Sequence, residues 1–268
     1  MNKEEKVDFL LNELISQLDE KIDIPKDYQS KRLLLRSLMN IRLPGPISKE
    51  FLEVQDELLS YETNSKNLIS SDEIKETKRN PKIGIFHGDI TVLKVDAIVN
   101  ACNSKLLGCF IPLHSCIDNI IHSAAGIQLR YDCNKIMVKQ GHDEKNGQAK
   151  ITKGYNLPAK YVIHTIGPAL APGAKPNNKQ KEELKSCYTN SLKVADEYNL
   201  KTIAFPNIST GVFNFPKEDA AKLAYEAVST YLKNNPKTGI EKVIFDVFED
   251  EQLRIYTELL EDWIQEIR

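Results

Sequence analysis

The stretch Thr202-Ile203-Ala204-Phe205-Pro206-Asn207-Ile208-Ser209-Thr210-Gly211-Val212-Phe213-Asn214-Phe215-Pro216 passes from a short β-branched apolar run, through small residues, to a proline that precedes a helical pattern. The run is of strand length, and Pro216 suits the first turn of a helix, where its missing N–H would be unsatisfied in any case. Between them, Ser209, Thr210 and Gly211 offer small side chains and backbone N–H groups that can close around an anion. An ordinary strand-to-helix turn fits the same residues, so on this stretch alone both readings stand.

The same alternation spreads outward from this unit. Ile83-Gly84-Ile85-Phe86, Ala97-Ile98-Val99, Tyr161-Val162-Ile163 and Lys242-Val243-Ile244-Phe245 are further apolar runs of strand length. Helical periodicity fills Cys116 to Arg130, Lys179 to Tyr198, Lys217 to Lys233 and Glu251 to Ile267. Strands alternating with helices predict an α/β fold whose mostly parallel sheet is covered on both faces. Such sheets bind ligands in the crevice beyond the carboxyl ends of their strands, so the loops that follow the strands are the candidate site.

Upstream the texture differs. Val7, Leu10, Leu11, Leu14, Ile15 and Leu18 recur at the three-and-four spacing of one helix face, which predicts an amphipathic helix over Glu4 to Leu18. Apolar-rich stretches at Leu33 to Ile41 and Phe51 to Leu59 are separated by Leu43-Pro44-Gly45-Pro46, which stops a helix, and Ser48 is placed to cap the second of them. Tyr61 to Asn80 is polar and reads as a short helix or linker. The domain boundary falls near Asn80, giving a helical segment over 1–80 and an α/β domain over 81–268.

Of the 268 residues, 41% are hydrophobic and 28% charged, a composition that builds a core rather than a disordered chain. A formal net charge of −2 supplies no basic field for nucleic acid or an anionic membrane, so any phosphate must be held locally. Met1-Asn2-Lys3-Glu4-Glu5-Lys6 is acidic where a signal peptide starts positive, and no run approaches the roughly 20 apolar residues of a membrane span. The expectation is a cytoplasmic protein without nucleic-acid or membrane partners. Five cysteines, an odd number, argue against a disulfide framework and leave thiols for metal or core. Cys102, Cys133 and Cys187 read as core thiols, since nothing nearby supplies a basic partner. His87, His122, His142 and His164 each offer a base, although packing and surface roles are the commoner fate.

Two further strand ends carry polar groups. In His87-Gly88-Asp89-Ile90-Thr91, Asp89 is placed either to accept from an adenine amino group or to cap a turn. The longer loop Asn100-Ala101-Cys102-Asn103-Ser104-Lys105-Leu106-Leu107-Gly108-Cys109-Phe110-Ile111-Pro112-Leu113-His114-Ser115-Cys116-Ile117-Asp118 brings Cys109, His114 and Cys116 within eight residues. Thiolate and imidazole are ligands that zinc favours, and three rather than four leave the open position of a catalytic site. The spacing is not the two-cysteine knuckle of structural zinc sites, and buried cysteines are often plain core. On spacing alone, metal and core readings both stand.

Taken in order, Gly88-Asp89-Ile90-Thr91, Asn100-Ala101-Cys102-Asn103-Ser104 with Leu107-Gly108, Ala124-Ala125-Gly126, and Ser209-Thr210-Gly211-Val212-Phe213 with Phe215-Pro216 resemble a macrodomain over about residues 82 to 268. Cys109 to Cys116 resembles the insertion of the microbial zinc-containing subgroup, which is linked to sirtuin-type ADP-ribosyltransferases and carries a helical N-terminal segment. The resemblance implies a three-layer α/β/α fold with a mixed, mostly parallel central sheet, preceded by a small helical N-terminal domain. It also implies a zinc-dependent protein mono-ADP-ribosylhydrolase acting on modified acidic side chains. By the same resemblance Asp89 and Ile90 belong to the substrate pocket, with Asp89 reading the adenine. Asn103 holds the distal ribose, and Ser209, Thr210, Gly211, Val212 and Phe213 hold the diphosphate. Cys109, His114 and Cys116 ligate zinc, and Asp118 matches the carboxylate assigned to catalysis in macrodomains that lack zinc. The implied partners are a mono-ADP-ribosylated lipoyl-carrier protein of the glycine-cleavage type and a sirtuin-type ADP-ribosyltransferase. Three positions depart from the common pattern: the Cys/His insertion replaces a glycine run, Cys102 stands for alanine and Asn214 for glycine. Asn214 suits its place because asparagine adopts left-handed backbone geometry more readily than most residues.

On this reading Asn103 orients the distal ribose, zinc holds a ribose hydroxyl or lowers the pKa of a water towards ~7, and Phe213 excludes bulk water. Two thiolates and a neutral imidazole leave the ion site formally neutral, which weakens water activation and makes positioning at least its equal. Two other classes compete. A reader module would bind ADP-ribose without cleaving it, needing Asp89 and Ser209 to Phe213 but no metal. A structural zinc protein would use its N-terminal helices for assembly.

Overall fold

In the computed structural model, which describes residues 1–19 and 21–260, helices precede the first strand. α1 (Lys3–Ile15) starts on a capping box in which the Asn2 side chain accepts from the Glu5 N–H and Glu5 reaches back. Its buried face is Val7, Leu10, Leu11 and Leu14, as the spacing predicts. The helix stops at Ile15, short of the predicted Leu18, because Ser16 Oγ and Gln17 Nε2 both donate to the Glu13 carbonyl and close the last turn. α2 (Tyr28–Ile41) and α3 (Lys49–Asn64) are capped by Asp27 and Ser48. The three helices merge in one apolar cluster around Leu10, Leu11, Leu35, Leu38, Phe51 and Leu58. Truncating Phe51 to alanine there would cost roughly 3–5 kcal/mol through transfer and cavity terms.

The stretch read as a short helix or linker, Tyr61 to Asn80, instead holds the end of α3 and two short strands, β1 (Ile69–Ser70) and β2 (Glu76–Thr77). β1 pairs with β4 (Leu93–Lys94). The main sheet is formed with β3 (Asn80–His87), β5 (Ala97–Ala101), β6 (Ala149–Lys153), β7 (Tyr161–Thr165), β8 (Thr202–Phe205) and β9 (Lys242–Val247), in the order β2-β3-β9-β8-β5-β7-β6. Every predicted run is a strand of this sheet, and all of them run parallel. The antiparallel strands are the edges, β2 and β6. The apolar-run criterion passes over β6 because Lys150, Thr152 and Lys153 interrupt it.

Alternation along the strands divides the core into two. Val99, Ile203, Phe205, Val243 and Phe245 face α6 (Asn178–Glu197), α7 (Lys217–Asn234) and α8 (Asp250–Leu260). Ile98, Val162, Ala204 and Ile244 face α4 (Ile117–Ala125) and α5 (Ile127–Gln140) on the other side. The fold is therefore the expected three-layer α/β/α arrangement. The predicted helix over Cys116 to Arg130 is two helices, since Gly126 at φ +102 breaks it. A Cβ at Gly126 would lie 2.7 Å from Gln55 Nε2, and Gln55 Oε1 accepts from Ile127 N at 3.0 Å, so α3 caps α5. Of the last predicted helix, residues beyond Leu260 lie outside the described ones.

The N-terminal helices dock on α4 and α5 through a polar seam. Arg130, 4% exposed, sits at its centre. Its guanidinium donates to the carbonyls of Met39 and Arg42 on one side, and of Leu107 and Cys109 on the other. Burial draws its pKa down to about 10, which leaves it cationic at neutral pH. Among the described residues no helix is long and apolar enough to cross a membrane.

Candidate active site

The parallel strands deliver their carboxyl ends to one edge, where a cleft of about 1040 Å³ opens. Its floor is made by the loops after β3, β5, β7, β8 and β9, and one wall by the N-terminal helices through Arg32, Arg36 and Glu62, with Lys66 just beyond α3.

At the end of β3, Asp89 caps a short 3-10 turn: its Oδ1 accepts from Thr91 N at 2.9 Å and from Thr91 Oγ1 at 2.7 Å. Oδ2 remains turned to Lys66 Nζ at 3.3 Å. Asp89 thus caps a turn, one of the two roles its sequence position allows, and it also lines the cleft with Ile90 beside it. Asp246, near the end of β9, is 5% exposed and also lines the cleft. Its burial, with the Asp89 charge nearby, holds its carboxyl well above the usual range.

The loop after β8 folds on itself: Phe215 N donates to the Ser209 carbonyl and Asn214 N to the Gly211 carbonyl, each at 3.0 Å. Ser209 and Asn214 both take left-handed conformations, φ +67 and φ +55, the second as expected for asparagine in glycine's place. Ser209, Gly211, Val212 and Phe213 line the cleft. Thr210 does not; its hydroxyl donates to the Asn207 carbonyl at 3.2 Å and braces the turn. Phe213 packs against the cluster of Cys102, Leu106, Cys133 and Ile166.

The long loop after β5 carries the remaining candidates. Asn103 Nδ2 donates to the Gly108 carbonyl at 3.0 Å and reaches Asp118 Oδ2 at 3.4 Å, while its Oδ1 accepts from Lys105 N at 3.0 Å. Gly108, at φ +76, cannot be replaced cheaply, because a Cβ there would lie 2.9 Å from the His122 ring. Cys109 Sγ, His114 Nδ1 and Cys116 Sγ lie within 4.8 Å of one another, the first pair 3.7 Å apart. Donor atoms around a tetrahedral zinc ion stand roughly 3.5–3.8 Å apart, so the Cys109–His114 pair has that spacing, and Cys116 stands close enough to complete a three-ligand set. All five cysteines are free thiols. Cys116 also caps α4, its Sγ accepting from Asn119 N. Burial pushes its thiol up to about 11.

Beneath this loop lies a buried polar network that the sequence reading did not assemble. Asn100 Nδ2 donates to Asp118 Oδ1 at 2.8 Å and lies 3.3 Å from His164 Nδ1; His164 Nε2 and Thr152 Oγ1 are 2.9 Å apart. Burial raises Asp118 to about 6, with the Asn100 hydrogen bond and the Arg130 charge opposing. It keeps His122 and His164 neutral, drawing His164 down to about 3. Cys102, Cys133 and Cys187 are buried, as expected of core thiols, while His87 and His142 are exposed. His122, Cys133 and His164 form a second group of donor atoms within 4.8 Å, but both His164 nitrogens already have protein partners. Gly167, after β7, was also missed: a Cβ on it would collide with Ser209 Oγ, so its bare backbone makes room for the β8 loop. Its strand-end position was the only available signal.

Comparison with known proteins bears on this cleft. Residues 99–224 match the Macro domain family. A Protein-ADP-ribose hydrolase of Staphylococcus aureus (strain MSSA476) is 44% identical over 257 residues, 94% of this chain and 94% of its own length. The Trypanosoma brucei macrodomain in complex with ADP-ribose shares the fold, with a TM-score of 0.65 at 23% identity over 88% of this chain and 96% of its own. A mutant Oceanobacillus iheyensis macrodomain with ADPR has a TM-score of 0.60 at 32% identity, covering 69% of this chain and 94% of its own.

Proposed function

Because the chain belongs to the macrodomain family, we propose that it is a protein mono-ADP-ribosylhydrolase that releases ADP-ribose from modified acidic side chains, with zinc at Cys109, His114 and Cys116. One observation carries the reading: a single cleft gathers Asp89 after β3, the Ser209 to Phe213 loop after β8, and the three soft donor atoms beside Asn103 and Asp118. An ADP-ribose laid across the strand ends would meet an adenine reader, a phosphate loop and a reactive end in that order.

Hydrolysis adds a water across the ester between the distal ribose and the target carboxylate: the bond between them breaks, one side gaining hydroxyl and the other a proton. Asn103 orients the distal ribose. Asp118, held by Asn100 and Asn103, takes the proton of the attacking water at Oδ2, a task typically worth about 10²–10⁴-fold. Phe213 covers the ribose and keeps bulk water out, so that the fixed dipoles act in a low dielectric. When bound, the zinc ion supplies an open coordination position for a ribose hydroxyl or water.

The resemblance to the sirtuin-linked subgroup extends the proposal to a lipoyl-carrier target, a sirtuin-type ADP-ribosyltransferase as the enzyme that writes the mark, and a cytoplasmic setting. The direct test is incubation with a protein mono-ADP-ribosylated on a carboxylate, with and without a zinc chelator. Release of ADP-ribose that the chelator abolishes and added zinc restores is the expected result. Tight ADP-ribose binding without any release would make the protein a reader, and release indifferent to the chelator would remove zinc from the mechanism.

A further inference from the structure

The helical N-terminal region supplies no reacting group to the proposed chemistry, yet two of its side chains hold the Cys/His loop. Leu113 N donates to Asn40 Oδ1 at 3.0 Å, and Asn40 Nδ2 donates to Ser123 Oγ on α4 at 2.9 Å. Leu113 sits at φ +57, a left-handed conformation that leucine keeps only when its surroundings impose it, and it directly precedes His114. One turn earlier on α2, Arg36 donates to the His114 carbonyl at 3.3 Å and to Asn119 Oδ1 at 2.9 Å. Asn119 in turn donates from Nδ2 to the Ile111 carbonyl at 2.9 Å. Residues 111–114 are therefore gripped at three backbone groups, two of them by α2 directly and the third through a residue that Arg36 holds. Asn40 is 2% exposed, so water has little access to replace its bond to Leu113.

We propose that Arg36 and Asn40 are positioning residues for the metal centre, with α2 acting as the support that presents His114 to Cys109 and Cys116. The inference rests on the zinc reading above. Losing the Asn40 acceptor would free Leu113 to leave its left-handed turn, and the imidazole would swing away from the two thiols. Outer partners that orient metal ligands commonly account for about 10–100-fold in metal affinity.

The test measures zinc affinity of the full-length chain by competition with a chromogenic chelator, together with the cobalt-thiolate absorption of the Co²⁺-loaded form. Asn40→Ala should bind zinc about 10–100-fold more weakly and alter the cobalt spectrum, with ADP-ribose affinity unchanged. Asn40→Asp, which retains an oxygen for Leu113 N–H, should recover most of the zinc affinity. Arg36→Lys, which keeps the charge and loses the two-pronged grip, should also weaken zinc and serves if Asn40→Ala does not fold. Wild-type affinity for zinc in Arg36→Lys and the Asn40 variants overturns the inference alone. A wild-type chain that takes up no zinc overturns it together with the zinc reading.

Discussion

Asn100 Nδ2 donates to Asp118 Oδ1 at 2.8 Å with both side chains buried, which ties the end of the inner strand β5 to the first turn of α4. The bond leaves Asp118 Oδ2 to Asn103, on the loop above. Asp118→Asn keeps the shape and removes the basic oxygen. Turnover should fall by about 10²–10⁴-fold in single-turnover release of ADP-ribose, with calorimetric binding of free ADP-ribose preserved. Full turnover in Asp118→Asn would remove that residue from the chemistry.

Lys66 competes for the oxygen that Asp89 shows to the cleft. The pair is 3.3 Å long and well exposed, a class of ion pair worth about 0–1 kcal/mol. With Asp89 reading the adenine as proposed, the amino group has to displace the ammonium, so Lys66→Met should tighten ADP-ribose by up to about 5-fold. Asp89→Asn should weaken it and narrow the preference for ADP-ribose over its hypoxanthine counterpart. Weaker binding by Lys66→Met would mean that the lysine contacts the ligand itself.

Gly167→Ala probes the loop after β8, which the proposed function gives to the diphosphate, without removing a polar group. Its methyl would collide with Ser209 Oγ and lie 2.7 Å from Ile208 Cγ2, forcing the β8 loop outward. ADP-ribose affinity should drop by at least about 10-fold, equivalent to 1.4 kcal/mol, with the melting temperature changing far less than the affinity. Wild-type affinity in this variant would show that the loop has slack.

Acid should destabilise the fold through His164. Its folded pKa is drawn down by burial to about 3, below the 6.5 of an ordinary histidine. Above pH 6.5 the ring is neutral in both folded and unfolded chains. As pH falls from there towards 3, only the unfolded chain takes up the proton, so stability is lost at up to about 1.4 kcal/mol per pH unit. Asp118 and Asp246, raised by burial, act in the opposite sense over part of this range. The measurement is therefore the difference in denaturant-unfolding free energy between wild type and His164→Gln from pH 7 to 4. It should shrink steadily below pH 6.5; a constant difference would mean that His164 is protonated in the fold.

The sheet and the Cys/His loop were legible because each depends on neighbours in sequence: β-branched runs for the strands, and Cys109, His114 and Cys116 within one loop. The turn after β8 was legible for the same reason, even to Asn214 taking a left-handed backbone geometry. What escaped was whatever depends on partners far along the chain. Asn40 meets Leu113 across 73 residues and Arg36 meets Asn119 across 83, and in sequence both are only polar positions on an amphipathic helix. Asn100, Thr152 and His164 escaped likewise, since only the pairing of β5 with β7 and of β7 with β6 brings them together.

Arg130 makes the two regions a single heritable unit. A chimaera joined near residue 80 would pair its buried guanidinium with a foreign backbone at residues 39 and 42, where two of its four carbonyl acceptors now stand. Stripping partners from a buried charge costs about 3–5 kcal/mol, a large part of the roughly 5–15 kcal/mol by which a domain stays folded. Recombination at that seam thus succeeds only between parents whose helix ends already match. The N-terminal helices and the sheet domain must then diverge together, each change on one side restricting what the other can accept.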